Sequence, residues 1–185
     1  MNTAPSILSF VSKILLCSSI TILLLSSPDS YALSNNSDLI AVETYQKDIE
    51  KAIALYKKKD YENALPALEE MAKRGNKKAQ YMVGVMYLSS QGTPQDLKKS
   101  YAWLIVANEQ KTKAWRKPLK WLKENLDEDY LALATKEASL YVDKYGVKAQ
   151  KLKCRPLKTL GTNRSIHNCT KSEVKPGYYY LAQNR

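Results

Sequence analysis

The strongest constraint on the fold is a helix pattern that repeats inside the chain. Shifting the sequence by 36 positions lays Asp60 on Asp96, Ala64 on Ser100, Leu65 on Tyr101 and Leu68 on Leu104. The segments just ahead register at a shift of 31, which lays Tyr56 on Tyr87. The two shifts differ by five, so the second pair carries a longer turn, one that contains Gly92. Helix pairs recurring at thirty-odd residues are the unit of an α-solenoid, in which each unit completes its core by stacking on the next. The period therefore predicts an all-α body of stacked helix pairs.

Apolar residues at spacings of three and four mark about six helices. The first runs from about 39 to 58, with Val42, Tyr45, Ile49, Ala52, Ile53 and Tyr56 on one face and Asp38 as N-cap. Asp60 or Asn63 opens the second, which turns Ala64, Leu65, Leu68, Met71 and Ala72 inward and ends at Gly75, a residue suited to a left-handed cap. Pro66 lacks the N–H that a helix interior needs, which favours a start near Asn63 or a kink. The third helix spans about 77–90, and the fourth spans 95–108 after the turn Gln91-Gly92-Thr93-Pro94. A fifth covers about 114–125, with Trp115, Leu119 and Leu122 inward. The sixth opens on Asp127, Glu128 and Asp129, acids that suit the positive N-terminus of a helix, and stops at Gly146.

The second pair carries a more specific pattern: Ala79-x4-Gly84-x2-Tyr87-x4-Gly92-x3-Asp96-x6-Trp103-x3-Ala107. It resembles a Sel1-like repeat. The first pair, from Tyr56 through Asp60-Tyr61-Glu62-Asn63-Ala64-Leu65, resembles the related tetratricopeptide repeat. The resemblance covers about residues 38–146 and implies packing roles. Gly84 lets paired helices approach, Tyr87 and Trp103 fill the space between them, and Gly92 shapes the turn. The chain departs from the family at Ser90, Thr93 and Ser100. An unrelated helical bundle is the competing reading, because repeats need about three units to stand alone and only two are clear.

The two ends differ from this body. Lys13 precedes an apolar run, Ile14 to Leu25, followed by Ser26-Ser27-Pro28 and then Ser30-Tyr31-Ala32. That order of charge, apolar run and small residues is expected of a secretory signal peptide over 1–32, cleaved after Ala32. The run is short of the ~20 residues that span a bilayer, which disfavours a retained anchor. Export makes Cys154 and Cys169 an even pair in an oxidising compartment, and a disulfide is expected. Closing such a loop is worth roughly 3 kcal/mol in the chain-entropy model. Two free thiols, or a zinc site with His167, are the alternatives; zinc lacks a fourth ligand nearby and any C-x-x-C pair. Stretches 152–160 and 165–170 read as two strands around a turn at Gly161-Thr162-Asn163, a hairpin too small to be stable alone. This two-cysteine segment also resembles one that follows Sel1-like repeats in some bacterial envelope proteins. The expected organisation is a signal peptide (1–32), a helical repeat domain (33–146) and a basic tail (147–185).

Charge and chemistry narrow the function. The formal charge is +11, and the tail holds nine basic residues against one acid. A second basic cluster comprises Lys111, Lys113, Arg116, Lys117, Lys120 and Lys123, interleaved with Trp115 and Trp121. Such a mixture can bind nucleic acid, but a solvated face with Trp115 in the core is the simpler reading, and export places most nucleic acid out of reach. The sequence holds no G-x-x-x-x-G-K-[ST], G-x-S-x-G or H-E-x-x-H pattern, and His167 is its single histidine. The expectation is a non-enzymatic periplasmic or secreted module without cofactor or metal. It would bind an unknown protein or peptide on the repeat surface through exposed residues such as Gln80 and Tyr81 and the basic residues Lys111, Lys113, Arg116, Lys117 and Lys120. The alternative is an envelope polyanion binder acting through the tail. Membrane contact is expected only through the cleaved signal peptide.

Overall fold

The computed structural model describes residues 38–158 and 165–182. The expected signal peptide over 1–32 and the expected turn at Gly161-Thr162-Asn163 lie outside the described residues. The order of elements is β1 (Leu39–Ala41), α1 (Val42–Lys57), α2 (Tyr61–Lys73), α3 (Lys77–Leu88), α4 (Leu97–Asn108), α5 (Arg116–Asn125), α6 (Glu128–Tyr145), β2 (Lys153–Lys158), β3 (Ser165–Thr170), β4 (Glu173–Lys175) and β5 (Tyr178–Tyr180). A short 3-10 turn, Lys113–Trp115, precedes α5.

Capping side chains start four of the helices. Asp60, Asn76, Asp96 and Asp127 each accept a hydrogen bond from the backbone N–H three residues on, which satisfies a donor that no helical carbonyl reaches. Gly75 follows the end of α2 at φ +87° and Gly92 lies in the long turn at φ +73°, both left-handed. A Cβ at Gly92 would collide with the carbonyl of Tyr61, so this turn fits only by being bare. Helices α1 to α4 pack in sequence, α2 against both α1 and α3, and α6 returns to pack on α4. Helix α3 is therefore covered on two sides, which explains why Lys77 and Gln80 are buried along with Ala79, Met82, Val83 and Met86.

The apolar residues form two clusters. One joins α1, α2 and α3 around Leu68, Met71 and Met86; the other joins α4, α5 and α6 around Leu104 and Leu122. Trp103 links them. Its ring meets Tyr141 edge-on at 5.0 Å and stacks on Tyr145 at 5.1 Å.

Several elements differ from expectation. Residues 39–41 are a strand, not the first turn of a helix, and α1 starts at Val42 without a side-chain cap. Leu39 pairs with Tyr180 and Ala41 with Tyr178, giving an antiparallel sheet in the order β1-β5-β4. The tail thus returns to the N-terminal side of α1, where Tyr179 meets the Tyr45 ring edge-on at 5.4 Å. Helix α2 starts at Tyr61 and continues through Pro66 to Lys73, so proline removes one interior donor without ending the helix. Trp115 is not in the core; it is half-buried on the 3-10 turn. The hairpin of β2 and β3 forms as the strand pattern predicts, with Cys154 opposite Cys169 and a disulfide between them.

Candidate functional site

The C-terminal strands lean over the start of the repeat body and leave a cleft of about 360 Å³. Its lining comes from α1, through Tyr45 and Gln46, from the start of α3, with Asn76, Lys77 and Lys78, from Gln110 and Trp115, and from Asn168 to Lys171 and Tyr179 of the tail. Tyr81 backs Trp115, their rings stacked at 4.9 Å and 9° apart. The cleft is thus made by the first helices of both pairs together with the tail.

Its three lysines are in different states. Lys77 is buried, and its ammonium donates to the Val106 carbonyl at 2.9 Å and to Glu109 Oε2 at 2.6 Å. The same carboxylate oxygen accepts the Val147 N–H at 3.0 Å, so this ion pair ties α3 and α4 to the chain after α6. Burial lowers the Lys77 pKa, and the adjacent Glu109 charge works against that shift. Lys78 is exposed. Lys171 is half-buried and donates to the Tyr180 carbonyl at 2.9 Å and to Gln150 Oε1 at 3.4 Å. Burial, followed by the charge of Arg74, lowers its pKa to about 8.

The repeat residues lie inside the helical body. Ala79 and Ala107 are fully buried. A Cβ on Gly84 would stand 2.7 Å from Leu104 Cγ, so the bare glycine lets α3 and α4 approach here. Ser100, where the pattern usually has alanine, spends its hydroxyl on the Gly84 carbonyl at 2.7 Å. Tyr87 donates to Glu69 Oε1 at 2.6 Å, which with burial pushes its pKa up. Asp96 caps α4, accepting from the Lys99 N–H at 2.9 Å.

The proposed contact residues are not brought together. Gln80 is fully buried, not exposed: its amide donates to the carbonyls of Ala72 and Tyr145, both at 2.9 Å, and locks α2 to the end of α6. Tyr81 is half-buried behind Trp115. The basic cluster divides. Lys111 and Lys113 flank an open concavity with His167 and Ile166, whereas Arg116 and Lys120 line a separate one on α5; Lys117 is exposed. His167 Nδ1 lies 3.1 Å from the Gln110 carbonyl, which only accepts, so the proton sits on Nδ1. The ligand atoms of Cys154, His167 and Cys169 lie within 4.8 Å of one another, but both sulfurs are engaged in the disulfide. Sequence reasoning missed Asn76, Lys78, Lys171 and Tyr179 as neighbours. Only the clustering of Tyr178-Tyr179-Tyr180 in a short tail hinted that this segment docks.

Stacked helix pairs with a glycine-mediated close approach define a short α-solenoid. The Sel1 repeat family model matches residues 44–58 and 77–111, which is most of α1 and the whole second pair. A solved structure of similar fold is a protective antigen present in uropathogenic Escherichia coli strains and displaying an SLR fold, at a TM-score of 0.52 and 21% identity. The match covers 64% of this chain and 27% of that one, so the chain spans about a quarter of the antigen's length. No curated protein matches the sequence. The chain thus carries Sel1-like repeat sequence over these residues and a fold similar to that of an SLR protein. Repeats of this kind are generally protein-interaction modules and typically non-enzymatic.

Proposed function

We propose that this chain is an exported, non-enzymatic module that holds a protein or peptide partner against its repeats. The observation that carries the reading is the cleft walled by Tyr45, Trp115 and Tyr179, formed where the matched repeat meets the tail. Such a cleft joins aromatic surface to a few polar groups, the usual composition of a binding site. Residues Cys154 and Cys169, oxidised, together with the order of residues 1–32, support export. No described helix is long and apolar enough to cross a membrane.

A photo-crosslinking residue in place of Gln46, which lines the cleft, tests this in the native envelope. The expected result is a protein adduct that disappears in Trp115→Ala and does not form from exposed Glu128. Equal adducts from both positions would refute the cleft as the binding surface. A second reading, polyanion binding through the tail, draws on Lys153, Arg155 and Lys158, all exposed on β2. It predicts flotation with anionic vesicles that is lost as salt rises.

A further inference from the structure

We infer that the cleft recognises a carboxylate side chain on an acidic peptide, with Lys171 and Lys78 as its cationic contacts. This rests on the peptide-binding reading above and specifies its ligand. The charge of the cleft is one-sided. Lysines 77, 78 and 171 line the cleft, and no Asp or Glu does among the described residues. Lys77 is already neutralised by Glu109, at 2.6 Å. Lys78 and Lys171 remain, one from the start of α3 and one from the tail.

Lys171 lacks a counter-charge among the described residues. Its ammonium is half-buried, yet its hydrogen-bond partners are two neutral oxygens, of Tyr180 and Gln150. The charged group that bears on its pKa, Arg74, has the same sign and is itself paired with Asp48 and Glu70. A cation withdrawn from water without a counter-charge is costly, and an incoming carboxylate relieves that cost. With its pKa lowered only to about 8, Lys171 still carries its proton at neutral pH.

Acids are favoured in the first turn of a helix, where the dipole is positive. Helix α3 has none there and starts with two lysines instead. The cleft lining therefore includes the Asn76-capped start of α3, which carries no acid, and the exposed Lys78. Size and lining then select the kind of anion. About 360 Å³ is at the small end for ligand sites, room for a few side chains and not for an extended polyanion. The aromatic walls of Tyr45, Trp115 and Tyr179 favour apolar groups flanking the carboxylate.

The test uses the full chain and an array of blocked hexapeptides built from Glu, Phe, Leu, Tyr and Ser, each beside its Glu→Gln twin. The strongest binders are then measured by fluorescence anisotropy. Glu peptides should outbind their Gln twins, and Lys171→Gln should weaken binding about tenfold or more, the usual loss for a charge-assisted hydrogen bond. Lys78→Gln, at an exposed position where folding is not at risk, should weaken it in the same direction. Lys153→Gln, which removes a tail charge outside the cleft, should leave affinity within about twofold, as screened surface charges do. If Gln twins bind equally well, or Lys153→Gln costs as much as Lys171→Gln, the carboxylate site is wrong while peptide binding stands. If no hexapeptide binds, both fail. If phosphatidylglycerol vesicles bind through Lys171 and peptides do not, the site belongs to the polyanion reading and this inference is overturned.

Discussion

Replacing Lys77 by methionine gives a sharp test of how the repeat body is fastened to the chain after α6. The Lys77 side chain is 1% exposed, and Glu109 is 27% exposed. Removing the ammonium takes a donor from the Val106 carbonyl and leaves Glu109 with the Val147 N–H alone. Breaking a buried ion pair from one side costs about 3–5 kcal/mol. Glu109 reaches some water, so the lower figure, about 3 kcal/mol, applies here. For a domain of this size that lowers Tm by roughly 6–12 °C. Thermal unfolding followed by helical circular dichroism measures it. Adding Glu109→Gln removes the stranded charge, so the double variant should be more stable than the sum of the single losses by about 1 kcal/mol or more. A Lys77→Met protein within about 1 kcal/mol of the parent, or strictly additive variants, would refute the staple.

Other positions give independent checks. Gly84→Ala should destabilise by about 1–2 kcal/mol in chemical denaturation, because the clash with Leu104 outweighs the gain in helix propensity. Cys154→Ser with Cys169→Ser should cost about 3 kcal/mol and expose the hairpin to limited proteolysis, whereas an equally stable variant would mean that strand pairing alone holds it. The pH dependence of stability has two signs. Folding lowers the Lys171 pKa to about 8 from an ordinary 10.5, so the unfolded chain binds more protons between these values and stability rises with pH there. Folding raises the pKa of Tyr45 and Tyr141 to about 12, so stability falls as pH climbs past 10. Urea titrations from pH 7 to 11 should show both limbs, with the rising one reduced in Lys171→Gln and the remainder contributed by Lys77, whose pKa burial also lowers.

What could be read from the sequence is what local pattern encodes. The apolar stripes of α2, α4 and α6, the helix starts at Asp60 and Asp127, and the hairpin across Cys154 and Cys169 follow from neighbours close in the chain, whereas the pattern starts the fourth helix at residue 95 and Asp96 is in fact its cap. Leu39-Ile40-Ala41 failed as a helix because its partner is Tyr178–Tyr180, far away in sequence, and an apolar triplet fits either structure. Gln80 misled for a related reason: it looks like a surface residue until the Tyr145 carbonyl arrives from the end of α6. Helix α3 has apolar residues nearly all round, so its pattern cannot say which polar residue is enclosed. The basic cluster of 111–123 drew attention by density, but its members face two concavities. The lysines that meet at the cleft come from α3 and the tail, 93 positions apart in number. Folding, not composition, brings them together.

The most direct measurement is the titration of the Lys171 ammonium in the full chain, followed by NMR with and without the best acidic hexapeptide. A carboxylate seated beside it favours the charged form, so its pKa should rise above the free value of about 8 and fall back when the Gln twin replaces the acidic peptide. A bound acidic peptide that leaves the Lys171 titration unchanged would contradict the account.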